Sequence, residues 1–205
     1  RKGAYKMNDS PYSLRDEKNM LREHYSKLRR SIDKDRKEKM DMAIVGRISG
    51  LRSYCYANAV LLYYPKGDEI NLLPLARQAI SEGKRVLFPM SDHDGVMHYR
   101  QVSDIDADFV PGMFGIPEPK KSCPVFDKSN VGGSAIVIMP ALSIDRDGYR
   151  LGYGKGYYDR YMVGFRSTAI GVIYSELLSD RLPRGRYDRR ADLVVTEKET
   201  IFLQK

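Results

Sequence analysis

A chain of 205 residues with 42% apolar and 30% charged side chains is long enough to bury a real core and has the composition of an ordinary globular protein. It contains no apolar run of the roughly 18 residues that a membrane-spanning helix needs. The net charge of +8 is uneven, because residues 1–40 hold 13 Lys and Arg against 7 Asp and Glu. A basic segment of this kind suits nucleic acid, a membrane surface or a polyanionic small ligand, although on charge alone a solvated helix face is the better explanation. Cys55 and Cys123 form neither a CxxC pair nor a metal-binding spacing, and read as reduced thiols.

Residues 1–12 lack the apolar stretch of a secretory signal and read as a disordered or vector-derived segment, with one α/β domain over 13–205. Ser13, followed by Asp16 and Glu17, predicts a helix N-cap with acids in the first turn. Leu21, Tyr25, Leu28 and Ile32 then mark an apolar face, and Met40, Ile44, Ile48 and Leu51 mark a second helix. AVLLYYP (59–65) reads as a buried strand, 71–84 as a helix closed by Gly83, and 85–90 and 97–102 as strands. Residues 103–130 are rich in turn formers. AIVIMP (135–140) is the clearest buried strand. A turn at 145–148, a helix over about 156–165 and strands at 168–174 and 191–196 complete the chain. Strands alternating with helices predict a mostly parallel sheet covered on both faces, with ligands beyond the carboxyl ends of the strands.

RLGYGKGYYDR (150–160) lies in the connection after the strand at 135–140, on that side. It is not a Walker loop, because Gly148 stands one residue too early and Gly156 replaces the Ser or Thr; nor does GxGxG match the dinucleotide fingerprint. The turn at 145–148 is no calcium loop either. The physical requirements of a phosphate site are nevertheless present. Glycines at 152, 154 and 156 admit a ligand close to backbone amides, and a helix starting near Gly156 points its positive end there. Arg150 and Lys155 add charge, and Asp159 can meet a magnesium ion. Taken singly, the glycines suit a tight loop, the tyrosines a core and Asp159 a first helical turn. Their conjunction is what argues for a triphosphate.

The stretch MPALSIDRDGYRLGYGKGYYDRYM (139–162) closely resembles the signature of the 5-formyltetrahydrofolate cyclo-ligase family, whose fixed positions read RLGxGxGYYDR. Lys18-x-x-Leu21-Arg22, Asp68-Glu69-Ile70, FGIPEP (114–119) and ADLVVTE (191–197) match in order, so the resemblance covers nearly everything from residue 14 onward. One departure is Tyr187, where the family usually has the His of a His-Asp pair.

The resemblance implies a three-layer α/β fold of the NagB/RpiA-like kind. It also implies a cytoplasmic, monomeric ligase that uses ATP and Mg²⁺ to turn 5-formyltetrahydrofolate, with or without a polyglutamate tail, into 5,10-methenyltetrahydrofolate. By the same resemblance, Lys18, Arg22, Arg150, Leu151, Gly152, Tyr153, Gly154, Lys155, Gly156, Tyr157 and Tyr158 hold ATP, with Arg150 and Lys155 catalytic. Tyr64, Glu69, Phe114 and Tyr157 hold the folate, with Glu69 on the pterin, and Asp159 and Asp192 hold the metal. No Ser–His–Asp or Cys–His nucleophile is required, and His24, His93 and His98 form none. Two other readings stand beside this one. One is a different ATP-dependent phosphoryl-transfer enzyme on the same scaffold. The other is a basic module binding nucleic acid through Arg29, Arg30, Lys34 and Lys37.

Overall fold

The structure, a computed structural model, describes residues 13–92, 96–129, 131 and 133–204. The expectation for residues 1–12, His93 and the side chain of Phe114 lie outside the described residues. Helix α1 (Leu14–Arg30) opens as predicted: the Ser13 hydroxyl accepts the Asp16 amide at 3.2 Å, with Asp16 and Glu17 beside the positive helix end. Asp33 caps α2 (Lys34–Ser49) in the same way, accepting the Arg36 amide at 3.0 Å. Met40, Ile44 and Ile48 of α2 recur every four residues, and all three are buried.

The chain continues through α3 (Arg52–Cys55), β1 (Ala57–Leu61), α4 (Leu73–Ser81), β2 (Arg85–Ser91), β3 (Met97–Val102) and the short pair β4 (Phe109–Pro111) and β5 (Pro117–Pro119). After these come β6 (Ser134–Met139), β7 (Ser143–Asp145), β8 (Arg150–Leu151), α5 (Tyr157–Tyr161), β9 (Thr168–Val172), β10 (Leu178–Ser179), β11 (Leu193–Val195) and β12 (Thr200–Phe202).

Seven strands form the central sheet in the order β12-β11-β9-β6-β1-β2-β3. The five inner strands are parallel, and β12 and β3 close the edges antiparallel to their neighbours. Alternation along β6 assigns the two cores. Ile136 and Ile138 face the layer built on α2 and α4, whereas Ala135, Val137 and Met139 face the layer holding Tyr99, Phe165 and the α5 tyrosines. The mostly parallel sheet expected from the sequence is therefore present.

The second face is covered mainly by α5 and loops rather than by long helices. The helix expected over 156–165 stops at Tyr161, and Gly164, at φ +70°, turns the chain instead. The strand expected over 59–65 ends at Leu61, because Pro65 has no N–H to donate and the chain leaves the sheet toward Gly67. That early exit carries Tyr63 and Tyr64 out past the carboxyl end of β1.

Ile138 sits at the centre of β6 with no exposed surface. Ile138→Ala should lower the unfolding free energy by about 2–5 kcal/mol. Urea unfolding monitored by circular dichroism would read this as a fall in midpoint at unchanged slope.

Candidate active site

β1, β2 and β6 run parallel and end on the same side of the sheet. There Tyr63, Tyr64, Pro89, Ser91 and Pro140 line a cleft of about 710 Å³. Its volume is that of a site for a cofactor-sized ligand. One face of α1 forms a wall, with Lys18, Arg22, Ser26 and Arg29 all turned toward the cleft. Residues 150–159 form the adjoining wall, in hydrogen-bond contact with α1, and Met113, Ile116 and Glu118 from the β4–β5 region also line the cleft.

The glycine-rich loop takes its shape from its sequence. Gly154 sits at φ +92° and Gly156 at φ +68°, conformations that side-chain-bearing residues rarely adopt. A Cβ on Gly154 would stand 3.2 Å from the guanidinium carbon of Arg22, so the glycine also lets α1 and the loop approach each other. Arg22 Nε donates to the Gly152 carbonyl at 2.8 Å, and burial pushes the pKa of this guanidinium down from its usual value. Lys155 is exposed and makes no ion pair among the described residues, so its charge is available to a ligand.

Arg150, by contrast, is buried. It donates to Asp159 Oδ1 at 2.9 Å, stacks 5.2 Å above the Tyr158 ring, and leaves its Nε without a partner. Tyr158 is packed beneath it, and burial raises the pKa of its phenol.

At the base of the cleft four segments meet. Glu69 is 8% exposed; its Oε2 accepts the Lys66 amide at 2.8 Å and its Oε1 accepts the Tyr153 hydroxyl at 2.6 Å. Arg29 Nη2 donates to the same hydroxyl at 2.7 Å and to Asp68 at 2.9 Å, while Nη1 reaches the Ala141 carbonyl at 3.2 Å. Burial opposes the Arg29 charge, but the bonds to Asp68 and Tyr153 outweigh it and keep the group firmly protonated. Burial and then the Glu69 carboxylate raise the Tyr153 phenol well above its usual range, so it stays a hydroxyl donor. Tyr64 packs edge-on against Phe109 with ring centres 4.8 Å apart, giving the cleft an apolar wall beside Glu69.

Apart from Phe114, whose side chain lies outside the described residues, every predicted site residue except Asp192 lines this cleft. Asp192 is turned the other way: its carboxylate accepts the Ala169 amide at 2.8 Å and its own amide donates to the Ala169 carbonyl, so it ties β11 to β9. The acid that reaches the cleft is Asp188, which pairs with Lys18 and accepts the Gly185 amide at 2.7 Å. The amide of the next residue, Arg189, donates to Asp159 Oδ1 at 3.2 Å, which brings Asp159 and Asp188 to one corner of the cleft.

Arg29 was not among the predicted site residues, although its spacing from Lys18 and Arg22 places all three on one helical stripe. Glu118, 9% exposed, was also not predicted; it accepts the Ser91 amide at 3.2 Å. The nucleic-acid reading loses two of its four cations, because Arg29 is buried at the cleft floor and Lys37 is paired with buried Asp41 at 2.7 Å.

A model of the 5-formyltetrahydrofolate cyclo-ligase family matches residues 15–197. A 5-formyltetrahydrofolate cyclo-ligase from Mycolicibacterium smegmatis is 30% identical over 189 residues, 90% of this chain and 95% of the relative. The solution structure of 5,10-methenyltetrahydrofolate synthetase from Aquifex aeolicus superimposes with a TM-score of 0.79 at 28% identity, covering 92% of this chain and 93% of that one. A 5,10-methenyltetrahydrofolate synthetase from Mycoplasma pneumoniae shares the fold at a TM-score of 0.69 and 22% identity, covering 88% and 98%.

The Arg29 cluster makes its own prediction. Asp68→Asn removes the negative partner of a buried guanidinium and should destabilise the protein by about 1–3 kcal/mol. Chemical denaturation beside the parent measures the loss.

Proposed function

Because the chain belongs to the 5-formyltetrahydrofolate cyclo-ligase family and is a ligase of folate one-carbon chemistry, we propose that this cleft closes 5-formyltetrahydrofolate to 5,10-methenyltetrahydrofolate while splitting ATP to ADP and phosphate. The observation that carries the reading is the meeting of two unlike groups of residues in one cavity. A buried carboxylate, Glu69, shares the cleft with apolar and aromatic groups and with a glycine loop that carries Arg150 and Lys155. The first suits an aminopyrimidine ring, whose paired N–H groups a carboxylate accepts, and the second suits a polyphosphate.

The chemistry explains why charge and position suffice. A formamide carbon is a poor electrophile because the nitrogen lone pair delocalises into its carbonyl, and the carbonyl oxygen is in addition a poor leaving group. In the proposed first step the formyl oxygen attacks the γ-phosphorus and ADP departs, leaving a phosphate ester of an iminium. The N10 lone pair then adds to that carbon, the C–O bond breaks, phosphate leaves, and the N10 proton passes to solvent. Neither step asks the protein for a covalent nucleophile; both ask for alignment and for cations around the transferring phosphoryl group. Lys155 and Arg150 would supply that charge. Lys18 and Arg22, held in the cleft by Asp188 and the Gly152 carbonyl, are placed to turn to the phosphates.

Magnesium suits the oxygen donors of Asp159 and Asp188, which share a corner of the cleft and offer carboxylates beside the phosphate loop. The ion would neutralise charge on the triphosphate. Asp192 drops out of the proposed metal set because it is not among the residues lining the cleft, its carboxylate instead accepting the Ala169 amide. Phe114, adjacent to cleft-lining Met113, and Tyr157 would wall the folate together with Tyr64. Arg30 and Lys66 also line the cleft and would suit an anionic tail on the substrate.

A spectrophotometric assay tests the reading. Protein, ATP, Mg²⁺ and 5-formyltetrahydrofolate should generate the near-ultraviolet band of the methenyl product, and Lys155→Ala should lower kcat by about 100-fold or more. A folded parent that binds ATP yet makes no product would transfer the argument to a relative with another acceptor. Magnesium titration separates the two acids. Asp188→Asn should raise the Mg²⁺ concentration needed for half-maximal rate by about tenfold or more, whereas Asp192→Asn should leave it unchanged and lower stability instead.

A further inference from the structure

Tyr153 belongs to the phosphate loop, yet its hydroxyl ends on the carboxylate proposed to hold the other substrate. It donates to Glu69 Oε1 at 2.6 Å and accepts from Arg29 Nη2 at 2.7 Å. A phenol has one proton, and Arg29 can only donate, so the direction of both bonds is fixed. Arg29 is itself held by Asp68 at 2.9 Å and by the Ala141 carbonyl at 3.2 Å. The Tyr153 hydroxyl is therefore held between Glu69 and Arg29, while the residue as a whole stays 50% exposed and its loop backbone is still to be ordered by a ligand. At its backbone end Tyr153 sits between Gly152, whose carbonyl Arg22 holds, and Gly154 at φ +92°. The next residue is Lys155, the cation placed nearest an incoming phosphate.

The bonds to Glu69 leave room for a ligand. A carboxylate has about four lone-pair sites. Tyr153 and the Lys66 amide occupy one on each oxygen. Two remain, the number that the paired N–H groups of an aminopyrimidine edge require. Tyr153 thus has no need to leave when a pterin arrives; it sets the plane in which the carboxylate meets it.

We propose that Tyr153 is a positioning residue that couples the nucleotide site to the pterin site. Phosphate captured by the glycine loop fixes Tyr153, Tyr153 fixes Glu69, and the folate then meets a carboxylate that is already oriented. The ordering cost is met once for both ligands, so each tightens the other without a large change of shape. The inference rests on the reading of the cleft given above.

Calorimetric titration of the full chain with 5-formyltetrahydrofolate, without and with saturating Mg²⁺ and a non-hydrolysable ATP analogue, tests it. In the parent the analogue should tighten folate binding by about fivefold or more, and folate should tighten the analogue by the same factor. Tyr153→Phe keeps the ring and deletes only the hydroxyl; it should still bind each ligand alone while the mutual tightening falls to within about twofold of none. Tightening that persists in the phenylalanine variant overturns the proposal. So does a variant that loses folate affinity equally with and without the analogue, since the hydroxyl would then be a simple contact. A parent that binds and converts its substrates without mutual tightening overturns the coupling and leaves the catalytic reading standing. A folded parent that binds neither ligand overturns both.

Discussion

Arg29 carries a full positive charge into the floor of the cleft, and the architecture of the site follows from the need to satisfy it. Taking a guanidinium out of water costs several kcal/mol unless its donors are matched. Here the matching partners come from three other segments: Asp68 from the loop after β1, Ala141 from the loop after β6, and Tyr153 from the glycine loop. The acceptors for one side chain therefore draw α1 and both strand-end loops to a single point. Glu69 joins them through Tyr153, so the most buried carboxylate in the cleft is oriented by groups that answer to Arg29. Two side chains of opposite charge, neither of them isolated, produce a rigid floor in what would otherwise be a gap at the end of a parallel sheet.

The walls above that floor work by a different rule. On the floor Arg29 is paired with Asp68 and Glu69 is hydrogen-bonded to Tyr153 and the Lys66 amide, whereas along residues 150–156 the glycines keep side chains away and Lys155 is left exposed. A site for a polyanion has to hold its cations ready without letting them collapse onto neighbouring acids. Temporary partners do this on the α1 side, where Lys18 rests on Asp188 and Arg22 on a backbone carbonyl. Exchanging Asp188, for Lys18, or the Gly152 carbonyl and the Asn19 side chain, for Arg22, against phosphate oxygens is a small rearrangement, because the side chains already line the cleft. Burial lowers the pKa of Arg22, which is the mark of a cation incompletely solvated by the protein alone.

Much of this was legible in the sequence, for reasons that differ by element. β6 was readable because AIVIMP is continuously apolar and is buried on both faces. α1 was readable because Ser13, Asp16 and Glu17 spell a helix start in local chemistry. The shape of the glycine-rich loop was readable because glycine at 154 and 156 answers to backbone conformation, which is a local property. What could not be read depends on contacts between distant residues. Asp188 and Asp192 are four residues apart and chemically identical. Only the fold, which sets Asp192 against the Ala169 amide and Asp188 against Lys18 in the cleft lining, decides which of them reaches the cleft. Arg29 was taken for a surface cation because nothing in its neighbourhood along the chain announces partners 39, 112 and 124 residues away. The end of β1 and the brevity of α5 were missed for the opposite reason, since Pro65 and Gly164 are local signals that apolar runs around them outweighed.

The cleft draws on residues from Lys18 to Asp188, nearly the whole described chain. A site assembled from such separated segments exists only when the fold does, and any ligand that bridges the walls adds its binding free energy to the stability of the fold. The same arrangement bears on the order of chemical events. On the proposed reaction the γ-phosphorus would meet the formyl oxygen in line, so the glycine-loop wall and the Glu69 floor would have to be correct relative to each other, and not merely each correct alone. Cations on flexible side chains cannot enforce that relation. A phenol that belongs to one wall and hydrogen-bonds to the floor can, because its ring fixes the separation between the loop backbone and the carboxylate. Tyr153 thus does for the relative geometry of the two sites what Arg29 does for the floor alone.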